Sequence, residues 1–344
     1  MNDLTDRQKL VLTLVIHEYI RTAQPIGSQH LVENYKLEMS SATVRNEMAA
    51  LTEMGYLRQP HTSAGRVPSE EGYRYFVGKL LQQTELPANT RRTISHQFYQ
   101  SRQDIEQWLR LAASVLAHQS RAASLVTAPH PEQSRFKHLE LISIRGRQVL
   151  MVLVCAGGEV HQQILTLAES LSQEQLSVTA SRLSQLFQNV NVEFMSTFKG
   201  QLDPLDQDIL ELAVQEMSRS DTVVAGEVYL DGLSNVLAEP EFSGSDDARR
   251  ALHVLEERSL LDDLLARTVM TSAIGEVQVL IGGEGTWTEL SRSSMVLARY
   301  GTPGLATGTL GVLGPMRMSY GHTISTVRFV AGLLSDLVTG SLGD

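Results

Sequence analysis

Cysteine is almost missing from this sequence: one residue, Cys155, in 344. A single thiol excludes an internal disulfide framework and a cysteine-based zinc site, and it suits a reducing, cytoplasmic setting. Long apolar runs are missing as well. The longest, Val149 to Ala156, is far shorter than the roughly 20 residues that cross a bilayer. The start, MNDLTDRQK, lacks the apolar core of a secretory signal, so no membrane partner is expected. Positive charge is scarce too. The net charge is −10, which argues against a chain coated in nucleic acid. The deficit is uneven, however. Residues 1–80 hold nine Lys or Arg and nine Asp or Glu, so all of the excess acid lies beyond them. That distribution fits a neutral, locally basic end on an acidic body. Affinity of such an end for a polyanion rests on a few placed contacts rather than a broad field. With 42% hydrophobic and 20% charged residues the chain is globular, and its length allows two or three domains.

What is present is concentrated between Ser40 and Pro68, SSATVRNEMAALTEMGYLRQPHTSAGRVP. Ser40 can accept from the free N–H groups of a first helical turn, and Gly55 can close the far end. Val44, Met48 and Leu51 recur at i, i+4 and i+7 and make one apolar stripe. The opposite face holds Ala42, Asn46, Ala49 and Glu53, flanked by Thr43 and Arg45, with Ser41 at its start. Two alanines keep that surface low enough to approach a groove floor. Arg45 and Asn46 carry donor patterns that suit guanine and adenine edges. A plain solvated face would hold more Lys and Glu. The following residues read as a hairpin. Tyr56 to Gln59 is a short strand, His61-Thr62-Ser63-Ala64-Gly65 a polar tip after Pro60, and Arg66-Val67-Pro68 an edge strand. Hydroxyls, backbone N–H groups and the guanidinium groups of Arg58 and Arg66 are the groups that bind phosphate oxygens. The expected contact set is therefore Ser41, Ala42, Thr43, Arg45, Asn46, Ala49, Arg58, His61, Thr62, Ser63, Gly65 and Arg66.

Upstream, Thr5-x-x-Gln8 forms a capping box before a helix to about Arg21. Gln24-Pro25-Ile26-Gly27 breaks it, and Ser28 opens a short helix to about Asn34. Three helices and a hairpin predict a winged helix-turn-helix. Ser69 caps a fourth helix. After the linker at Leu86-Pro87-Ala88-Asn89, Thr90 to His118 reads as one long helix whose Arg91, Arg92 and Arg102 face solvent. Leu139–Ile144, Gln148–Cys155 and Val160–Leu167 read as strands joined by hairpin turns. Leu171 to Gln188 is an amphipathic helix, and a less regular section, 190–245, includes a helix near Leu205 to Met217. Asp246 to Val269 returns to helix. Strands resume at Glu276–Ile281, Ser294–Tyr300 and Thr309–Leu313, and a last helix covers His322 to Val338. A sheet interrupted by helices and then resumed suggests one α+β domain with an insertion.

Residues 3–80 resemble the head of the bacterial heat-inducible transcription repressor family, HrcA, through PIGSQHL (25–31), SSATVRNEMAALTEMGYL (40–57) and QPHTSAGRVPSEEGYRYFV (59–77). IGGEG (281–285) and GTLGVLGPMRMSYGHTISTV (308–327) resemble two further family stretches. Gln29 and His30 depart from the pattern, as does Gly285, which stands where the family has Asn. The resemblance implies a multidomain α+β fold: a winged helix-turn-helix over 1–85, a linker and long helix over 86–130, and a GAF-like domain over 131–190 and 246–344. It implies an inserted dimerisation domain over 191–245. It also implies a homodimer on an inverted-repeat operator before heat-shock chaperone operons, and a chaperonin that keeps the repressor active until heat diverts it.

Other chemistries fare worse. Gly282-Gly283-Glu284-Gly285 follows a strand but precedes no Lys-Ser/Thr, and Gly308, Gly311 and Gly314 open no helix. Such glycine patterns are weak signals of a phosphate loop, and tight turns are the expected use. The histidines, among them His118, His130 and His138, show no ligand spacing, so neither metal nor cofactor is expected. Cys155, inside an apolar strand, reads as a buried small hydrophobe rather than a nucleophile. No nucleophile elbow or carboxylate dyad is visible, so the chain is not read as an enzyme. The alternative within the same class is a winged-helix repressor whose GAF-like body senses a small metabolite.

Overall fold

The capping box closes as its spacing predicts: Thr5 Oγ1 accepts from the Gln8 N–H and Gln8 Oε1 from the Thr5 N–H, starting α1 (Asp6–Thr22). The computed structural model describes residues 4–342 apart from 62–63, 83–84, 101–103, 132–133, 157–159, 199, 223–226, 243–245 and 270–271. After α1 come α2 (Ser28–Tyr35), α3 (Ser41–Glu53) and a two-stranded hairpin of β1 (Leu57–Arg58) and β2 (Val67–Pro68). The Ser69 side chain caps α4 (Glu70–Tyr75), which ends in a π-helical turn at Phe76–Leu80. The expected single helix over Thr90–His118 is two helices, α5 (Ala88–Gln100) and α6 (Ile105–Ser120). Asp104, in extended backbone, accepts from the Glu106 N–H at 3.0 Å and starts the second. Arg102 lies outside the described residues.

β3 (Ala123–Thr127) follows, then β4 (Phe136–Arg145), β5 (Gln148–Cys155), β6 (Val160–Thr166), α7 (Gln173–Phe187), α8 (Val192–Ser196) and α9 (Pro204–Thr222). The chain continues through β7 (Val228–Asp231), α10 (Leu233–Leu237), α11 (Asp247–Glu256) and α12 (Arg258–Thr268). It ends with β8 (Val277–Ile281), β9 (Ser293–Thr302), β10 (Ala306–Pro315) and α13 (Tyr320–Leu342). The helix expected over Asp246–Val269 breaks at Glu257, whose extended backbone separates α11 from α12.

This multidomain α+β chain divides into two compact units. The larger comprises residues 1–128, 228–299 and 309–334; the smaller comprises 129–227 with 300–308 and 335–344. Their sheets are separate, against the expectation of one resumed sheet. The first has the order β7-β3-β10-β9-β8, the second β4-β5-β6. The burial pattern gives the physical reason. β3 and β10 are buried at every position and β9 at all but its last, as strands covered on both faces are. β4 and β5 alternate buried and more exposed residues, as a sheet with one wet face does. The inner face of the small sheet packs Phe136, Leu141, Met151 and Cys155 against Leu183 and Phe187 of α7, Met195 of α8 and Ile209 and Met217 of α9. The segment expected as 131–190 and the part of 191–245 up to Met217 therefore share one core. From β7 onward the second segment belongs to the larger unit, and β7 joins its sheet, where Thr127 pairs with Val228 and Ser124 with Asp231.

Inside the larger unit, the first four helices are tied to the sheet. Arg74 Nη2 donates to the Ile281 carbonyl at 2.9 Å, and its Nε lies 3.3 Å from Glu284. The rings of Tyr73 and Tyr320 lie 5.9 Å apart, and the Tyr320 hydroxyl meets Ser294 on β9 at 2.8 Å. Arg317, largely buried, pairs with both Glu239 and Glu241 and reaches toward the Ile20 carbonyl at the end of α1. Removing one member of a buried ion cluster strands the others. Arg317→Met is expected to cost about 3 kcal/mol in denaturant melts. The triple variant that adds Glu239→Gln and Glu241→Gln should recover most of that loss.

Candidate nucleic-acid interface

α3 is buried along its inner side. Ser40 Oγ accepts from the Thr43 N–H at 3.1 Å, and Val44, Met48 and Leu51 are buried. The other face is open: Ser41, Ala42, Arg45 and Asn46 are exposed, Thr43 and Ala49 partly covered. Gly55, with φ +84°, turns the chain into the hairpin, on which Arg58 and His61 are exposed. Thr62 and Ser63 lie outside the described residues.

The hairpin is locked to the helices by contacts that the sequence pattern did not announce. Ile26 and Arg66 exchange backbone hydrogen bonds of 2.9 and 2.8 Å, so the segment between α1 and α2 borders the hairpin. Gly65 has no room for a side chain there, since a Cβ would come within 2.3 Å of the Ile26 carbonyl oxygen. The residue expected to touch a ligand through its N–H thus has a packing reason to be glycine. Arg66 Nε donates to Thr52 Oγ1 at 3.0 Å, and that hydroxyl donates to the Met48 carbonyl at 2.7 Å. The last turn of α3 therefore orients the Arg66 guanidinium by its Nε. Arg45 and Arg66 line one concavity of about 400 Å³ between α3, the hairpin and the start of α2, together with Ser28 and Gln59. Ser28, Thr52 and Gln59 were missed by sequence reasoning. Thr52 lies seven positions after Arg45, two helical turns along the same side, and that spacing was the available signal.

One buried carboxylate ties α1 to α2. Glu18, 4% exposed, accepts from Arg21 at 2.8 Å, from Tyr35 at 2.9 Å and meets His30 Nε2 at 3.0 Å. The hydrogen bond from Arg21 leads in holding its pKa at about 2; burial pushes the other way, and His30 and Tyr35 add to the lowering. His30, a departure from the family pattern, thus has a place in the hub.

The remaining candidates resolve as structure. Gly282, Gly283 and Gly285 all have positive φ and form a tight turn with Glu284, a conformation that costs glycine least. Cys155 is buried in the small unit's core. His138 pairs with Glu140 at 2.8 Å, and His130 exchanges backbone hydrogen bonds with Thr307. Among the described residues no three His, Cys, Asp or Glu gather as a metal site, and no helix is long and apolar enough to cross a membrane.

A low helical face with an arginine and an asparagine, beside a hairpin carrying two more arginines, is chemically suited to base edges and phosphates. That places the chain in the class of α+β proteins with a candidate nucleic-acid-reading end. The family model described as HrcA protein C terminal domain matches residues 106–324. Proteins named heat-inducible transcription repressor HrcA are 46% identical in Roseiflexus castenholzii, over 99% of this chain and 96% of that protein, and 42% identical in Chloroflexus aurantiacus, over 97% and 94%. The chain belongs to the HrcA family. A solved structure described as a hypothetical protein shares the fold, with a TM-score of 0.58 at 22% identity over 98% of both chains.

The depressed Glu18 pKa makes a pH prediction. An unfolded carboxyl here titrates near 4.5 and the folded one near 2. The stabilisation is therefore complete above 4.5 and is lost as pH falls toward 2. Glu18→Gln should be less stable than the parent at neutral pH. The gap in melting temperature should close progressively between pH 4.5 and 2. A gap independent of pH would remove the charge from the explanation.

Proposed function

We propose that the chain is a transcription repressor of heat-shock chaperone operons, acting in the cytoplasm as a homodimer on an inverted-repeat operator and released on heat shock as the chaperonin is diverted. In this reading the first four helices and the hairpin are a winged helix-turn-helix, with α3 in the major groove and the hairpin as wing. The body is GAF-like and carries an inserted dimerisation domain, taken as 129–227. The chain catalyses nothing; its work is occupancy of DNA. The observation that carries the reading is the open face of α3, with Ser41, Ala42, Arg45 and Asn46 exposed beside the arginine-bearing hairpin, in a family whose curated relatives bear the repressor name.

Arg45 and Asn46 are assigned to base edges. Arg58, His61 and the Arg66 guanidinium, steadied by Thr52, are assigned to phosphates, with Thr62 and Ser63 at the tip. Ala42 and Ala49 admit the groove floor. Two such heads match two half-sites, since a two-fold protein requires a palindromic site. The outer face of the small sheet supports self-association: Ile142, Leu150 and Ile164 are cross-strand neighbours there, and Ile142 and Ile164 are exposed. The chaperonin link is supported by the family alone.

Footprinting of purified protein on chaperone promoters, with and without chaperonin and across temperature, tests the whole reading; an unprotected promoter, or protection without mirror symmetry, ends it. Arg45→Ala and Asn46→Ala should each lose about 1–3 kcal/mol of preference for the operator and leave binding to unrelated DNA intact. Arg66→Ala should weaken binding to all sequences and reduce the salt slope by about 1. Because Thr127 and Val228 are register partners, residues 128–227 can be replaced by an Asn-Gly turn. That variant should sediment as a monomer and bind the operator poorly; a variant that stays dimeric would move the interface elsewhere.

A further inference from the structure

The smaller unit has a strand edge to which nothing is paired among the described residues. β6 lies at the end of the order β4-β5-β6. Leu167 N–H donates to the Arg147 carbonyl at 2.9 Å, and the register continues as Val149 opposite Leu165 and Met151 opposite Gln163. In an antiparallel pair, hydrogen-bonded and non-hydrogen-bonded residues alternate. Gln163 and Leu165 therefore turn their backbone groups to β5, while Ile164 and Thr166 point theirs off the free edge. Exposed edges are ordinarily guarded by lysine, proline or a bulge. β6, VHQQILT, has no lysine or proline, and its register with β5 runs without a shift.

Beside that edge runs a groove of about 760 Å³ whose other wall is α9. Leu205, Asp208 and Leu212 present one stripe of the helix to it, and Glu169 and Glu211 also line it, with no Lys or Arg among the lining residues. Gln163 Oε1 is buried in the same wall with no hydrogen-bond partner among the described residues. The geometry points to a docking site for an extended segment of another protein, basic and apolar in alternation, added to β6 as a fourth strand. Its outward backbone groups meet those of Ile164 and Thr166. Its cationic side chains face Asp208 and the other carboxylates, and one donor reaches Gln163. Its apolar side chains lie beside Ile164 on the outer face. A second copy of β6 is disfavoured as occupant, because it would bring the acidic lining of each copy against the other. Main-chain pairing gives such a site its affinity, and the alternate side chains its selectivity.

The full chain is tested with a capped, fluorescent Val-Lys alternating peptide of about eight residues, a length that spans a strand of this size, and with its Val-Glu counterpart. The Val-Lys peptide should bind by anisotropy and slow hydrogen exchange at Ile164 and Thr166, whose N–H groups β5 does not use, and the Val-Glu peptide should not. Thr166→Pro removes an outward N–H that β5 does not use, and Asp208→Lys reverses an exposed charge on α9. Each should weaken binding by about tenfold or more with melting temperature and operator binding retained. Equal binding of both peptides, unchanged affinity in Asp208→Lys, or exchange at Ile164 and Thr166 already slow without peptide would each overturn the proposal; the last would mean that a second copy covers the edge.

Discussion

The pairing of β3 with β7 is the constraint on which the rest turns. Thr127 and Val228 are Cα partners, yet about one hundred residues separate them in sequence. Because they are neighbours in the sheet, everything between them can fold around its own core without altering the larger sheet. That is why the three strands after β3 make a second sheet rather than extending the first. Closing so long a loop costs only slowly more as its length grows, and the inserted unit, once folded, brings its own ends together. The β-pairing then needs only local order, helped by Ser124, whose hydroxyl donates to the Ala113 carbonyl of α6 at 2.7 Å.

At the N-terminal end, precision comes from contacts between elements rather than from any one of them. The hairpin has only two residues per strand, too few to stand alone. Its position is set by the Ile26–Arg66 exchange and by the Thr52 hydroxyl, and the Glu18 hub ties α1 to α2. Arg74, Tyr73 and Arg317 carry that assembly onto the sheet. A disturbance of the sheet at β8 or β9 can therefore reach α3 through a short series of hydrogen bonds and ion pairs.

Local signals were legible in the sequence wherever one side of an element was wet. The Thr5–Gln8 box, the Ser40 cap and the Val44-Met48-Leu51 stripe all lie on half-buried helices, where period and cap are visible, and the open face opposite that stripe followed from the same wheel. β3 was missed because ASLVT is buried at every position and so shows no alternation to read. The separateness of the two sheets was also hidden, although alternation in β4 and β5 against continuous burial in β9 and β10 carried the clue. The break before α6 turned on a single cap at Asp104. The Arg66–Thr52 and Glu18–Tyr35 contacts link residues 14 and 17 positions apart, and helix periodicity is blind to such pairs. Gly65 was assigned to ligand contact when its nearest constraint is the Ile26 carbonyl.

The place of β3 in the sheet also governs what a ribosome exposes. Its two neighbours, β7 and β10, leave the exit tunnel about one hundred and about one hundred and eighty residues later. Until β7 emerges this five-residue strand has both backbone edges bare, and until β10 emerges one of them, the condition under which nascent chains associate wrongly. Translation thus outruns the sheet's ability to shield this interior strand, and the yield of folded protein becomes a race between completing the chain and aggregating.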